Sequence, residues 1–575
     1  MKQDYTFLIG GEAGQGLQTI GAVLAKALAR RGLHIFAYQD YHSRVRGGHN
    51  FFQIRAASFP VGSHLDELTI LVALDEETIK IHRHRVAEAG VVLYDSGEIP
   101  DQEGLANPLP VPLSELGKKY GGRTVMGNTA AVGAIWQLLQ GEPEDLEETL
   151  RDIFSSKGPD IAEANVKAAR GGMEYAKDHF KATCPCRMEG LDSPPRMLLT
   201  GNDAVALGAL AAGCQFVSAY PMSPATSVFT TMGRNVGRLP LVFEQAEDEI
   251  AAIHMAMGAS FAGVRSMVPT SGGGLALMVE GLSLAGCTET PLVIFLGQRP
   301  GPATGLATRT EQGDLLFVLH AGHGEFPRAI LAPGNPVEAF WLTVKAFNLA
   351  EKYQIPVFIL SDQYLADALY TVEPFDLSRV RVERGEILTE KDLQGAEYLR
   401  HRLTDTGISP RAFPGGGAWT TVTSGNEHDE KGYPTEKADL RKAMVEKRLR
   451  KARPLAREIG SPAFYGPANP QKVLLTWGST FGACREAADL LKEDGEDIGV
   501  VHMTELWPFP SRQVQEALKG AEVITVEMNG TGQLGRLLRQ ETGIQPASAV
   551  LKYDGRAMNA AFILKELEKG GVNPW

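Results

Sequence analysis

At 575 residues the chain exceeds what one hydrophobic core usually serves, which predicts three or four domains. A hydrophobic content of 43% with 22% charged residues excludes a disordered or fibrous chain, and a net charge of −12 excludes the basic face that nucleic-acid binding needs. The opening MKQDYTFLIGGEAG has no long apolar stretch after its charges, so it does not read as a signal peptide, and no apolar run is long enough to span a bilayer. Five cysteines without framework spacings suggest a reducing cytoplasm. Only Cys184-Pro-Cys186 is close-spaced, and two thiolates cannot by themselves hold an iron–sulfur cluster.

In chain order, residues 1–187 alternate strand-like and helical runs. YTFLIG enters GGEAGQG and the helical TIGAVLAKALARRG, followed by LHIFAYQ, LTILVAL and GVVLYD. Alternating β and α elements of this kind predict an α/β unit with a mostly parallel sheet. Prolines and charges around CPCRMEGLDSPPRM mark a linker, residues 188–196. A second α/β unit, residues 197–380, has FVSAY, LPLVFE, RSMVPT, PLVIFLG, RAILA and IPVFIL as its strands. Residues 381–465 form a charged, irregular excursion that retains aromatics and ends in a basic helix, KADLRKAMVEKRLRKARPLAREI, expected to be solvated or to face a subunit. A third, smaller α/β unit, residues 466–575, opens with KVLLTWGS.

Chemistry concentrates in LVFEQAEDEIAAIHMAMGASFAG. Glu249 opens a helix after a strand end, where α/β sheets place ligands. Acidic residues at a helix N-terminus also serve simply to complement the macrodipole. GGEAGQG (Gly10–Gly16) reads G-x-x-G-x-G, so dinucleotide binding is a weak inference, while its amides could cradle an anion or simply form a tight turn.

YPMSPATS (Tyr220–Ser227) paired with E-x-x-A-x₅-G (Glu249–Gly258) resembles the pyrimidine-binding domain of thiamine-diphosphate enzymes, and more narrowly the alpha subunit of 2-oxoacid:ferredoxin oxidoreductases. QRPGPATGLATRTEQGDL (Gln298–Leu315) resembles that family's substrate loop; WGSTFGA, ELWPFP and VEMNGTGQL resemble its C-terminal unit, which is transketolase C-terminal-like. GGEAGQG and SRVRGGHNFFQIR resemble the gamma subunit, here fused ahead of alpha. GISPRAFPG and NEHDEKGY fit as well, so the resemblance covers nearly the whole chain.

The resemblance implies that Glu249 activates thiamine diphosphate through N1′ of its aminopyrimidine, with Glu247 the near alternative. Tyr220 and Pro221 belong to the loop beside the cofactor, and Ser223 stands where the family usually has threonine. Arg299 matches the arginine that pairs with the C1 carboxylate of the oxoacid. Thr308 and Arg309 lie farther along the same loop, and Arg309 would suit a second carboxylate, which favours 2-oxoglutarate; a surface arginine near Glu311 is the bland alternative. Arg44, Arg46, Gly47 and Gly48 are placed at the coenzyme A entrance, with structural salt bridges as the alternative. No GDG segment followed by asparagines, the usual Mg²⁺ and diphosphate anchor, is present; DGED at Asp494–Asp497 lacks the preceding buried strand. Mg²⁺, the diphosphate and a [4Fe-4S] cluster are therefore expected on a beta subunit, in an (alpha–beta)₂ assembly that delivers electrons to ferredoxin. Other 2-oxoacids, a self-contained lyase and a noncatalytic assembly subunit are the competing readings.

Overall fold

The computed structural model describes residues 3–41, 48–100, 104–105, 107–180, 188–393 and 396–574. The chain divides into one unit of Met1–Leu199 with Ala368–Pro374, and a second of Thr200–Asp367 with Phe375–Trp575. Among the described residues no helix is long and apolar enough to cross a membrane.

The first unit is built on an eight-stranded sheet. Its spatial order is Pro108–Val111, Val86–Asp95, Leu68–Ala73, Asp4–Glu12, His49–Ala57, His34–Asp40, Leu369–Val372 and Met197–Thr200. The half from Pro108–Val111 to Asp4–Glu12 is parallel. The expectation of a mostly parallel sheet needs correcting in the other half. His49–Ala57 runs antiparallel to both Asp4–Glu12 and His34–Asp40, and Leu369–Val372 runs antiparallel to His34–Asp40. The stretch between Asp40 and His49 is too short for a crossover helix, and such a link can join only antiparallel neighbours. Leu369–Val372 was expected in the second unit; its backbone instead extends this sheet.

Two helices, Gly127–Leu138 and Pro159–His179, lie unusually close. A Cβ at Gly133 would strike the Ala169 carbonyl, and one at Gly172 the Ala130 carbonyl. These two glycines therefore set the separation of the helices, as small residues do where backbones nearly touch.

The second unit holds two sheets. In the larger, Val242–Gln245, Phe216–Ala219, Ser266–Thr270, Leu292–Gln298, Pro356–Asp362 and Ala329–Leu331 are parallel neighbours in that order. These are the six strands the sequence outlines. An antiparallel strand from the C-terminal segment, Glu505–Trp507, closes the edge at Ala329–Leu331. The smaller sheet, residues 463–551, keeps a parallel core of Ile498–Met503, Lys472–Trp477, Glu522–Glu527 and Ser548–Leu551.

The excursion after residue 381 differs most from expectation. Its basic helix, Ala438–Arg450, continuing as Ala452–Glu458, is solvated on one side only: Arg441, Lys442 and Glu446 are exposed, whereas Lys447, Arg448 and Lys451 are buried. Lys447 and Lys451 both pair with Glu289, which His401 Nδ1 also meets at 3.2 Å, while Arg448 grips Glu427 through both terminal nitrogens at 2.8 and 2.9 Å. Burial alone would push the Glu289 carboxyl up; the two ammonium groups overcome it and hold the carboxyl well below its ordinary value. Alternating charge thus reads as a solvent face only until partners far along the chain are known.

Candidate active site

Four loops, three of them carrying expected functional residues, leave the carboxyl ends of four neighbouring parallel strands, where ligand sites of open α/β sheets form. The loop after Phe216–Ala219 carries Tyr220, Pro221 and Ser223, and the one after Val242–Gln245 leads to Glu249. Ser266–Thr270 runs into Gly272-Gly273-Gly274, and Leu292–Gln298 into Arg299.

Glu249 is the first residue of the helix Glu249–Phe261, capped by the Asp248 side chain, which accepts from Ala251 N at 2.7 Å. Its side chain is only 4% exposed, whereas Glu247 two residues earlier is exposed. The near alternative therefore points away into solvent. Glu249 has no hydrogen-bond partner among the described residues. The room it occupies is kept open by Gly274, in the first turn of the helix Gly272–Thr288. A Cβ at Gly274 would collide with Thr270 Oγ1 and stand 3.0 Å from Glu249 Cγ and 3.1 Å from Oε1. Gly258, at the other end of the motif, has nothing near it and sits on the exposed face of the same helix.

The structure brings Ser223 and Arg299 together: Arg299 Nη1 donates to the Ser223 carbonyl at 2.8 Å. The Ser223–Pro224 peptide is cis, and Gly297 leaves space for the Pro224 ring, since a Cβ there would lie 2.8 Å from Pro224 Cγ. Tyr220 is exposed and Pro221 half-buried on the same loop. Met222 Sδ meets the hydroxyl of Ser271, the residue preceding the three glycines.

Two carboxyl groups to which sequence reasoning gave no role in the site lie on the Arg299 loop, Asp314 beside Arg299 and Glu311 beside Asp314. Asp314 presses on Gly272, where a Cβ would strike its carboxylate, and its Oδ2 is buried without a partner. Burial lifts Asp314 from 3.8 to about 6 although the Arg299 charge opposes the shift. Glu311 rises from 4.5 to about 7, through burial first and then the neighbouring Asp314. Burial lowers Arg299, opposed by Asp314, and its Nε also lacks a partner. Both acids belong to TEQGDL, inside the segment already singled out; only tertiary burial distinguishes them from surface carboxylates.

Thr308 is half-buried and Arg309 only 8% exposed, so Arg309 is not the surface arginine of the bland reading. Its Cβ and Cγ pack against Gly555 in the C-terminal segment. Arg44, Arg46 and Gly47 lie outside the described residues; Gly48 has a left-handed backbone, φ 81°. The GGEAGQG turn, with Gly14 and Gly16 also left-handed, borders a cleft of ≈ 550 Å³ lined by Glu12, Asp75, Glu76, Asp95 and Glu98. So many carboxylates oppose an anion, and Gln15 Oε1 instead accepts from Glu12 N at 2.8 Å, closing the turn on itself.

Three family models match the chain. Residues 207–447 match "Pyruvate flavodoxin/ferredoxin oxidoreductase, thiamine diP-bdg", residues 6–175 "Pyruvate ferredoxin/flavodoxin oxidoreductase", and residues 471–562 "Pyruvate:ferredoxin oxidoreductase core domain II". The chain is 32% identical to the 2-oxoacid:ferredoxin oxidoreductase 2 alpha subunit of Aeropyrum pernix, over 96% of each chain. It is 28% identical to the 2-oxoglutarate oxidoreductase subunit KorA of Mycobacterium tuberculosis, over 97% of this chain and 92% of that one. Among solved structures, it resembles the 2-oxoglutarate:ferredoxin oxidoreductase of Magnetococcus marinus with 2-oxoglutarate, coenzyme A and succinyl-CoA bound. That match has a TM-score of 0.92 at 32% identity and covers 99% of this chain and 100% of the other.

Proposed function

The chain belongs to the 2-oxoacid:ferredoxin oxidoreductase family, as an alpha subunit, and from that premise we propose that its substrate is 2-oxoglutarate. The reaction is the reversible, coenzyme-A-dependent oxidative decarboxylation to succinyl-CoA and CO2, with two electrons passed to ferredoxin. The observation that carries the choice of substrate is Arg309: a largely buried cation on the same loop as Arg299, suited to the second carboxylate of a dicarboxylic acid. The relatives named for 2-oxoglutarate support the same choice.

The residues present fit thiamine diphosphate. A buried carboxylate without a hydrogen-bond partner among the described residues stands at a helix start, in space that Gly274 leaves clear. When bound, the cofactor supplies the nucleophilic carbon and the electron sink that decarboxylation of a 2-oxoacid requires. Glu249 would hydrogen-bond N1′ of the aminopyrimidine and hold the proton there, while Tyr220 and Pro221 border the ring. Arg299 would bind the C1 carboxylate with its guanidinium, and the hydroxyls of Ser223 and Thr308 would orient the oxoacid.

The site would be completed by a beta subunit. Ile250, next to Glu249, is 49% exposed and Leu277, on the helix whose first turn holds Gly274, is 54% exposed, apolar side chains suited to a partner chain. That subunit would carry the diphosphate anchor with Mg²⁺ and a [4Fe-4S] cluster, in an (alpha–beta)₂ enzyme.

The test is to produce the chain with its partner subunit and follow coenzyme-A-dependent reduction of a viologen dye across a panel of 2-oxoacids. Arg309→Ala should raise KM for 2-oxoglutarate about tenfold or more, the worth of one charge-assisted contact, and leave pyruvate unaffected. Equal effects on both acids would remove Arg309 from substrate choice; a wild-type preference for pyruvate would overturn the substrate while leaving the family intact.

A further inference from the structure

The motifs WGSTFGA and VEMNGTGQL take no part in the chemistry above, yet both converge on one residue of the oxoacid loop. Gln312 is fully buried, and all four of its polar groups are met by the C-terminal segment. Its N–H donates to the Met528 carbonyl at 2.6 Å, and its own carbonyl accepts from Asn529 Nδ2 at 3.2 Å. Nε2 donates to the Trp477 carbonyl at 2.9 Å, and Oε1 accepts from Met528 N at 3.0 Å. Gly478 has φ 61°, and a Cβ there would lie 2.7 Å from Gln312 Nε2, so this position needs glycine for both backbone and space.

Gln533 grips the chain just beyond. Its Nε2 donates to the Gly313 carbonyl at 2.6 Å and its Oε1 accepts from Leu316 N at 2.9 Å. The neck of the loop is tied where Asp314 N donates to Gln298 Oε1 at 3.0 Å. Between these ties residues 301–306 are exposed, and Ala303 and Gly305 adopt left-handed backbones. A glycine- and proline-rich tip has little stiffness of its own, so the anchored end decides where the loop stands.

We propose that Gln312 is the positioning residue of the oxoacid loop, through which the C-terminal domain sets where Arg299, Thr308 and Arg309 meet the substrate. The inference rests on reading this loop as the oxoacid-binding one. It gives the last hundred residues a part in substrate affinity.

The test uses the assembled enzyme with 2-oxoglutarate as the varied substrate. Gln312→Glu keeps the shape, but an ionised carboxylate faces the Trp477 carbonyl without a proton to donate, and protonation restores a donor. Losing one or two buried hydrogen bonds should raise KM for 2-oxoglutarate about tenfold near pH 8, narrowing toward pH 6, with KM for coenzyme A unchanged. Amide exchange within residues 299–311 should quicken while the rest of the chain stays as protected as before. Gln533→Leu, at a half-buried position, should shift KM and exchange in the same direction without the pH dependence, and it decides the matter should Gln312→Glu fail to assemble. Wild-type KM and exchange in both variants would overturn the clamp. Arg299→Ala provides the separate control: loss of oxoacid affinity with unchanged loop exchange upholds the reading of the loop, and an unchanged KM overturns that reading and the clamp together.

Discussion

Placing one methyl group on Gly274 should disable the enzyme without unfolding it. The Cβ of Gly274→Ala would sit 3.0 and 3.1 Å from Glu249 Cγ and Oε1, where ordinary contact begins at 3.4 Å, and would collide outright with Thr270 Oγ1. The direct contact asks Glu249 to withdraw by a few tenths of an ångström; relieving the collision with Thr270 shifts the helix start further, to a total on the order of 1 Å in a close-packed interior. A displacement of that size at a proton-transferring group costs about 10²-fold in turnover, against about 1–3 kcal/mol of stability for the overpacking. The assay is oxoacid-dependent viologen reduction by the assembled enzyme, with a thermal melt as the folding control. Glu249→Gln keeps the shape and should lose about 10²–10⁴-fold by itself. In that background Gly274→Ala should cost little more, because the carboxylate it displaces no longer works. Full multiplication of the two losses, or near-normal kcat in Gly274→Ala, would refute the role given to Glu249.

Asp314→Asn should change how stability depends on pH. Burial raises the Asp314 carboxyl from 3.8 to about 6, so the folded chain holds this proton more tightly than the unfolded one. The stabilisation from that proton is complete below the unfolded value and is lost as pH rises through about 6. Asn should therefore melt with wild type near pH 4 and above it near pH 8, assuming the ordinary carboxylate value when unfolded. A gap independent of pH would show that Asp314 is ordinary in its surroundings. Glu289→Gln should destabilise the chain by about 3–5 kcal/mol, since it strands the buried Lys447 and Lys451 without their shared counter-ion. Denaturant unfolding measures this, and adding Lys451→Met should recover part of the loss; no recovery would mean the cluster is not the cause.

Local sequence determined the elements of this protein, while its site was legible only through several motifs taken together, each weak by itself. The six parallel strands of the larger sheet in the second unit, and the helix start at Glu249, follow from short-range periodicity and strand-to-helix junctions, whereas the roles expected of Glu249 and Arg299 come from the family resemblance of their motifs. The two motifs that meet at Ser223 and Arg299 lie far apart in the chain, yet parallel strands on either side of Ser266–Thr270 deliver both loops to the carboxyl end of one sheet. Tertiary structure alone decided whatever depends on burial and on partners. Glu247 and Glu249 are chemically alike, and only packing hides the second. The basic helix reads as a solvent face throughout until Glu289, distant in sequence, and Glu427 are found paired with its buried Lys447, Lys451 and Arg448. Asp314 and Gln312 are ordinary polar residues in a glycine-rich loop until a neighbouring domain and a helix start close around them. Charge and periodicity are properties of a segment, whereas desolvation and hydrogen-bond satisfaction belong to its surroundings, and those come into being only when the chain folds.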